Sequence, residues 1–149
     1  MNKQIAILLI AFLPLASFKP AEDFCKRQGI KGYVRLAKGN QMPSPDVQRA
    51  EPAGIQTSLY VYELTNTSQV ITQGAFYESI STKLIKEIRT DENGYFKTKL
   101  KPGTYSLFVK KGDLFYSNIF DEKNNIHPVV VKKGDWTEVN FRADYDAVY

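Results

Sequence analysis

The sequence predicts an all-β protein, an antiparallel sandwich of about seven to eight strands. Apolar and polar residues alternate with a period of two in several short segments, and no long segment has the 3.6-residue period of a helix. Turn-forming residues separate these segments at intervals of about eight to twelve residues. Nine tyrosines and nine phenylalanines add side chains that are enriched in strands.

The first 17 residues are predicted to be an export signal. Lys3 supplies a positive charge, residues 5–13 form an apolar run, and small residues follow Pro14. The run is shorter than the roughly 20 residues that a membrane-spanning helix needs, so we expect no span in the mature form. A buried N-terminal helix or an uncleaved anchor is the alternative interpretation.

This signal sets the expected organisation and location of the chain. We expect cleavage near residues 16–21, a flexible arm over 18–28, one domain over 29–149, and a periplasmic or extracellular protein. Cys25 is the single cysteine and cannot form an internal disulfide. Because Glu-Asp-Phe precedes it rather than small apolar residues, a free thiol is expected in place of a lipid anchor.

The first strand is predicted from Gly29 to Leu36, and a long loop follows from Ala37 to Gln56. The loop contains three prolines and few apolar residues. Loops of this length in compact domains are usually either functional or disordered. We expect an ordered loop over one end of the sandwich, with partner binding as a hypothesis. Its candidate contacts are Asn40, Gln41 and Met42.

The second strand, predicted from Thr57 to Thr65, has apolar residues on both faces. Leu59 and Val61 occupy one face and Tyr60 and Tyr62 the other, so the strand either lies inside a sheet that is covered on both sides or exposes a tyrosine pair. Residues 70–81 are compatible with a short strand or a helical turn.

Three consecutive strands are predicted between Lys83 and Lys110. Asn93-Gly94 has the residues of a tight hairpin, which would fix the strand register, and Asp91 can accept hydrogen bonds from backbone amides beside it. Pro102-Gly103 ends the following strand. In the last of the three, Phe108 is the one apolar residue on the otherwise polar face.

The C-terminal part predicts three more strands. They cover Leu114 to Phe120, Val129 to Val131, and the alternating segment from Thr137 to Arg142. Polar turns at residues 121–125 and 134–135 separate them, and residues 143–149 show no clear period.

A family resemblance is carried by the segment Thr90-Asp91-x-x-Gly94-Tyr95-Phe96, by Leu100-x-Pro102-Gly103-x-Tyr105-x-Leu107, and by Gly29-x-x-Gly32-x-Val34. These motifs resemble the carboxypeptidase regulatory-like domains, transthyretin-like sandwiches of secreted bacterial proteins. Residues 39–43 resemble a segment of small secreted members from Bacteroidetes-like bacteria. The resemblance implies a module that supports or tethers other molecules, and the fold alone confers no activity.

Related folds carry chemistry that this sequence lacks. The hydroxyisourate hydrolases and the intradiol dioxygenases both need more than one histidine, whereas His127 is the single histidine here. Collagen-adhesin repeats form an amide bond that would map onto Lys31 and Asn140, but no acid is found where that family places it, so we expect no bond. His127 is expected to be a turn residue partly in water, and we predict no enzyme, no metal and no cofactor.

Two functions remain as hypotheses. The first is a non-catalytic module that binds a protein partner or gives structural support in the cell envelope. The second is a carbohydrate or small-molecule binder that stacks ligands on Tyr60, Tyr62, Phe115 and Tyr116, although cross-strand packing within the sheets is the favoured explanation of these rings. The net charge of +4 is dispersed along the sequence, so nucleic acid is not an expected partner. The sequence selects no oligomeric state.

Overall fold

The structure, a computed structural model, describes residues 27–43, 45 and 51–149. The predicted export signal, the cleavage region, Cys25 and most of the predicted arm lie outside the described residues. Gln28, the last residue of that arm, is buried. Its side-chain amide donates to Leu100 O at 3.3 Å and accepts from Gly134 N at 3.0 Å.

The described chain is an all-β sandwich of one four-stranded and one seven-stranded sheet. Its eleven strands outnumber the seven to eight predicted. The additional strands are a two-residue strand at 53–54 and a hairpin over residues 70–80, whose sequences show too little alternation to be recognised. The strands are β1 Gly29–Asn40, β2 Ala53–Gly54, β3 Ser58–Glu63, β4 Val70–Gln73, β5 Phe76–Ile80, β6 Leu84–Arg89, β7 Tyr95–Lys99, β8 Gly103–Lys111, β9 Leu114–Tyr116, β10 Pro128–Val131 and β11 Trp136–Val148.

The four-stranded sheet is built around β1. The last strand, β11, pairs with β1 in parallel from Gly29↔Trp136 to Asn40↔Val148, with a register shift between Leu36 and Lys38. On its other side, β1 pairs antiparallel with β7 and then with the two-residue β2. The first and last strands of the domain are therefore direct neighbours.

The seven-stranded sheet has the order β4-β5-β9-β8-β3-β6, and β10 pairs with β8. The interior position of β3, between β8 and β6, agrees with its apolar residues on both faces. Leu59 and Val61 face the main core, and Tyr62 is buried on the opposite side. Of the two arrangements that the sequence allowed, the strand covered on both sides is the one found, with Tyr60 half-buried.

Two apolar clusters stabilise the fold. The main core lies between the sheets and joins Val34 and Phe141 of the smaller sheet to Leu107 and Val109 of the larger one. A second cluster forms around Phe108, which is fully buried together with Tyr62, Tyr77 and Ile126. Burial of a phenylalanine of this kind contributes roughly 1.5–3 kcal/mol. Phe108, predicted as an apolar residue on a polar face, is therefore a core residue of a second layer.

The prediction of a hairpin at Asn93-Gly94 is wrong, because β6 and β7 belong to different sheets. The local chemistry is as expected: Asp91 Oδ1 accepts from the amides of Asn93 and Tyr95 at 2.9 and 2.8 Å. The turn carries the chain from one sheet to the other, and β7 takes its register from β1 instead. Turn residues determine a local bend but not which strand becomes the neighbour.

Other boundaries also differ from the prediction. Residues 37–40 of the predicted loop continue β1 because the parallel pairing resumes after the bulge, and the tail forms part of β11 for the same reason. Residues 70–80 form the β4–β5 hairpin. The strand predicted to reach Phe120 ends at Tyr116, since Ser117 O accepts from the Tyr77 hydroxyl and Ile119 O from His127 N.

Gly94 is required at the crossing between the sheets. Its φ is +79°, and a Cβ there would lie 2.2 Å from Val34 O. We predict that Gly94→Ala lowers the free energy of unfolding by roughly 3 kcal/mol or more, because backbone atoms of β1 and β2 would have to move. Urea unfolding followed by tryptophan fluorescence measures this loss.

Gly134→Ala is the matched control. Its φ is +78°, but no atom lies within 4 Å of the added Cβ, so only the left-handed backbone conformation should cost about 1–2 kcal/mol. Equal losses for the two variants would show that the close approach of Gly94 to β1 has no energetic weight.

Candidate functional site

The side of the four-stranded sheet that points away from the main core is here called the outer face. Side chains alternate along β1, so Ile30 and Val34 are buried while Lys31, Tyr33 and Arg35 point outward. The same alternation on β7, and on β11 up to the register shift after Ala143, completes this surface. Its ten members are Lys31, Tyr33, Arg35, Tyr95, Lys97, Lys99, Trp136, Glu138, Asn140 and Arg142.

Strand register concentrates positive charge on the outer face. Lys31 is opposite Lys97 across the β1–β7 pair, and Arg35 is beside Arg142 across the β1–β11 pair. Of the ten members, five are basic and only Glu138 is acidic. Five of the positive charges that look dispersed along the sequence are therefore gathered on one surface of the described chain.

Three aromatic rings lie between these charges. Lys97 Nζ is 4.6 Å from the ring centroid of Trp136, and Arg35 Cζ is 5.4 Å from that of Tyr33. Tyr33 and Tyr95 pack against each other with their centroids 5.3 Å apart. Cation–π contacts of this kind hold the long basic side chains against the sheet.

The two arginines of the outer face border a shallow cleft of about 230 Å³. Glu51, Pro52 and Asn140 also line it. Arg142 Nη2 donates to Gln41 Oε1 at 3.3 Å and to the hydroxyl of Tyr149 at 3.5 Å. Among the described residues, no carboxylate lies within salt-bridge distance of either arginine, Glu51 included.

The predicted loop contacts are found at the end of β1, next to this cleft. Asn40 Oδ1 accepts from Met42 N at 2.8 Å, and the Met42 side chain is 53% exposed. Gln41, by contrast, is buried, and its Nε2 donates to Lys38 O at 3.1 Å. Gln41 therefore holds Arg142 through the hydrogen bond that its Oε1 accepts, while the side chains of Asn40 and Met42 remain accessible.

Three of the four predicted aromatic candidates are brought together on the seven-stranded sheet. Phe115 packs edge-on against Tyr60 and Tyr62, with centroid distances of 5.4 and 5.8 Å. Lys110 Nζ lies 4.7 Å from the Phe115 centroid and 5.2 Å from that of Tyr60. The Tyr60 hydroxyl donates to Glu87 Oε1 at 3.1 Å. These rings extend the second apolar cluster.

Tyr116, the fourth aromatic candidate, is separate from this group. It is buried and packs against Phe76 and Tyr145, with centroid distances of 5.4 and 5.1 Å. Its hydroxyl donates to Asp144 Oδ1. Burial, followed by the bond to the Asp144 carboxylate, raises the pKa of Tyr116. The seven candidate residues thus lie in three places rather than in one site.

His127 is buried, which corrects the prediction of a ring partly in water. The ring stacks on Phe141 with a centroid distance of 4.7 Å and an interplanar angle of 7°. Its Nδ1 is 3.2 Å from Ser117 Oγ. Burial lowers the pKa of His127 to about 4, so the ring is neutral at physiological pH. No pattern in the sequence indicated that β11 would cover this position.

The described residues contain no group of three or more histidine, cysteine or acidic side chains arranged to hold a metal ion. Lys31 and Asn140 both belong to the outer face, and the described residues include no buried carboxylic acid that could promote an amide bond between them. Within the same residues, no helix has the length and hydrophobicity needed to cross a membrane.

No protein-family model matches this chain, and a search of curated proteins found no match. The geometry of the described residues therefore carries the functional argument.

Sequence reasoning missed the arginine pair and the lysines of the outer face. A signal for this surface was present in the sequence, because the outward positions of the alternating segments that form β1, β7 and β11 are mostly basic or aromatic. Recognising it as one surface required knowing that β1 lies between β7 and β11 and in which register.

The burial of His127 predicts a pH-dependent stability. Because its pKa is lowered from 6.5 to about 4 in the fold, the unfolded chain binds the proton more tightly. The stabilisation is complete above about pH 6.5 and is lost as the pH falls towards 4, a change on the order of 3 kcal/mol. Urea unfolding at pH 7.0 and pH 4.5 measures it.

The double variant His127→Phe, Ser117→Ala is the control for carboxylates that titrate in the same range. Phenylalanine keeps the ring on Phe141, and alanine removes the hydroxyl that would lose its partner. The variant should lose most of the difference in stability between the two pH values. If it keeps the full difference, His127 is not the group responsible.

Proposed function

We propose that this chain is an exported, non-catalytic β-sandwich module that mediates an interaction in the cell envelope through its outer face. The observation that carries the proposal is the concentration of five basic side chains on that face against the single acid Glu138. The partner is an anionic molecule of the envelope.

The charge pattern favours binding over simple solvation. Surfaces that serve only solubility usually mix both signs, because neighbouring like charges repel. Here Lys31 is opposite Lys97, and Arg35 is beside Arg142. Glu138 is the register neighbour of Lys31 on β11, but no carboxylate is in salt-bridge contact with any of these four basic residues within the described chain. An anionic partner would relieve this repulsion and would be steered to the face over about one Debye length.

The family resemblance and the export signal of the sequence are also part of the proposal. We propose membership of the carboxypeptidase regulatory-like domains, with transthyretin-like topology, and a periplasmic or extracellular location. The two-sheet architecture supports the first part, and the order of charge, apolar run and small residues at the N-terminus supports the second. Structural support in the envelope is compatible with the same surface.

The alternative, a ligand stacked on the aromatic candidates of the larger sheet, has weaker support. The edges and faces of Tyr60, Tyr62 and Phe115 are engaged with one another and with Lys110. A ligand would have to displace those contacts before it could stack. The outer face needs no such rearrangement to meet a partner.

Charge reversal on the outer face tests this function. We predict that Lys97→Glu, Lys99→Glu reduces crosslinked capture of the envelope partner at least about tenfold at physiological salt, equivalent to roughly 1.4 kcal/mol. Raising the salt to about 1 M should weaken capture by the unchanged protein in the same direction. Quantitative mass spectrometry of the material that is crosslinked to the tagged protein in the producing cells measures the effect of the substitutions and the effect of salt.

Lys86→Glu, Lys123→Glu is the matched control, since both lysines are exposed outside the outer face, in β6 and in the turn before Asn125. It changes the net charge equally and should leave capture within about twofold. Capture that falls equally in both variants would mean that net charge, and not the outer face, determines binding.

A further inference from the structure

We propose that the outer face binds a carboxylated polysaccharide and that Arg35 and Arg142 together hold one of its carboxylate groups. This inference rests on the proposed function, because it names the chemical class of the anionic partner. The arginine pair, the spacing of the charges and the polar groups between them support it.

The arginine pair is arranged as a receptor for one planar anion. The two residues are register neighbours on adjacent strands, whose backbones lie about 4.8 Å apart. Gln41, buried beneath the strand end, fixes Arg142, and the ring of Tyr33 supports Arg35. Guanidinium groups match a carboxylate with two parallel hydrogen bonds. In the described chain neither arginine bonds a carboxylate directly; the Tyr149 hydroxyl that Arg142 contacts donates to Asp144 Oδ2 at 3.0 Å.

The lysines provide a second anionic contact at a distance. Lys31 and Arg35 are four residues apart on β1, which corresponds to roughly 13 Å along an extended strand. Lys97 and Lys99 lie beside Lys31 on β7. A single small anion cannot span this distance, whereas an extended polymer with repeated negative groups contacts both clusters at once.

Between the two clusters the surface is polar and uncharged. The hydroxyls of Tyr33 and Tyr95 and the side-chain amide of Asn140 form no hydrogen bond within the described part of the chain. These groups both donate and accept, as sugar hydroxyls require. Anionic sites separated by neutral hydrogen-bonding groups match a chain in which carboxylates alternate with hydroxyls.

Two other anionic partners fit the surface less well. Single-stranded nucleic acid needs free aromatic faces on which bases stack, but Lys97 covers Trp136 and Arg35 covers Tyr33. Binding to an anionic membrane usually combines basic residues with exposed apolar side chains that enter the interface. None of the ten members of the outer face is aliphatic.

The test uses polygalacturonate as the probe and its fully methyl-esterified form as the uncharged control. Isothermal titration of the purified protein should detect binding to polygalacturonate that weakens with salt, and at least about tenfold weaker binding to the ester. Oligothymidylate and vesicles of anionic phospholipid form two further arms at the same salt concentration.

Substitutions locate the carboxylate site. The double variant Arg35→Gln, Arg142→Gln should weaken polygalacturonate binding at least about tenfold. The variant Arg35→Lys, Arg142→Lys should restore only part of the loss, because lysine keeps the charge but cannot form the two parallel hydrogen bonds of a guanidinium group.

The control variant Lys86→Gln, Lys123→Gln should leave affinity within about twofold. Glu51→Gln should strengthen binding, since it removes a negative charge from the cleft. Urea unfolding confirms that each variant is folded.

The outcomes separate the two levels of the proposal. Stronger binding to oligothymidylate or to vesicles than to polygalacturonate, lost on Lys97→Glu, Lys99→Glu, overturns the polysaccharide but keeps the function of the outer face. Absence of binding in every arm overturns both. Unchanged affinity of the folded Arg35→Gln, Arg142→Gln variant for polygalacturonate overturns the arginine site.

Discussion

The parallel pairing of β1 with β11 is the contact on which the rest of the structure depends. It joins the first and last strands of the described domain and positions Ile30, Val34, Val139 and Phe141 on the same side, where they form one wall of the main core. Parallel neighbours cannot be linked by a hairpin, so nearly the whole domain lies between them in sequence. Their register also determines which basic side chains become neighbours on the outer face, and the pairing therefore couples stability to the proposed function.

The sequence predicted those features that local chemistry determines. Alternation located β3, β7 and β8 to within about two residues, and Asp91 forms the turn contacts expected of it. The sandwich class followed from the same patterns. The hairpin at Gly94 was wrong because a turn motif specifies a bend in the backbone, while the partner strand is chosen by long-range packing against Val34 and Gly54.

The remaining features depend on contacts between distant segments. From the sequence, Phe108 is an apolar residue on a polar face and His127 is a turn residue. In the fold, Tyr77 and Ile126 cover Phe108, and Phe141 covers the ring of His127. The outer face follows the same rule, since its charges come from three segments separated by up to about a hundred residues. Gln41 is the one predicted contact that touches the arginine pair, which it reaches through the continuation of β1.

The parallel arrangement of the terminal strands also has a mechanical consequence. The N-terminal end of β1 and the C-terminal end of β11 lie at opposite ends of one ladder, from Gly29↔Trp136 to Asn40↔Val148. Tension applied through these two ends would slide the strands past each other, perpendicular to their hydrogen bonds, so that many bonds would have to break together rather than one after another. A module built in this way resists extension along its own chain, a property suited to a domain that holds a load between two attachment points.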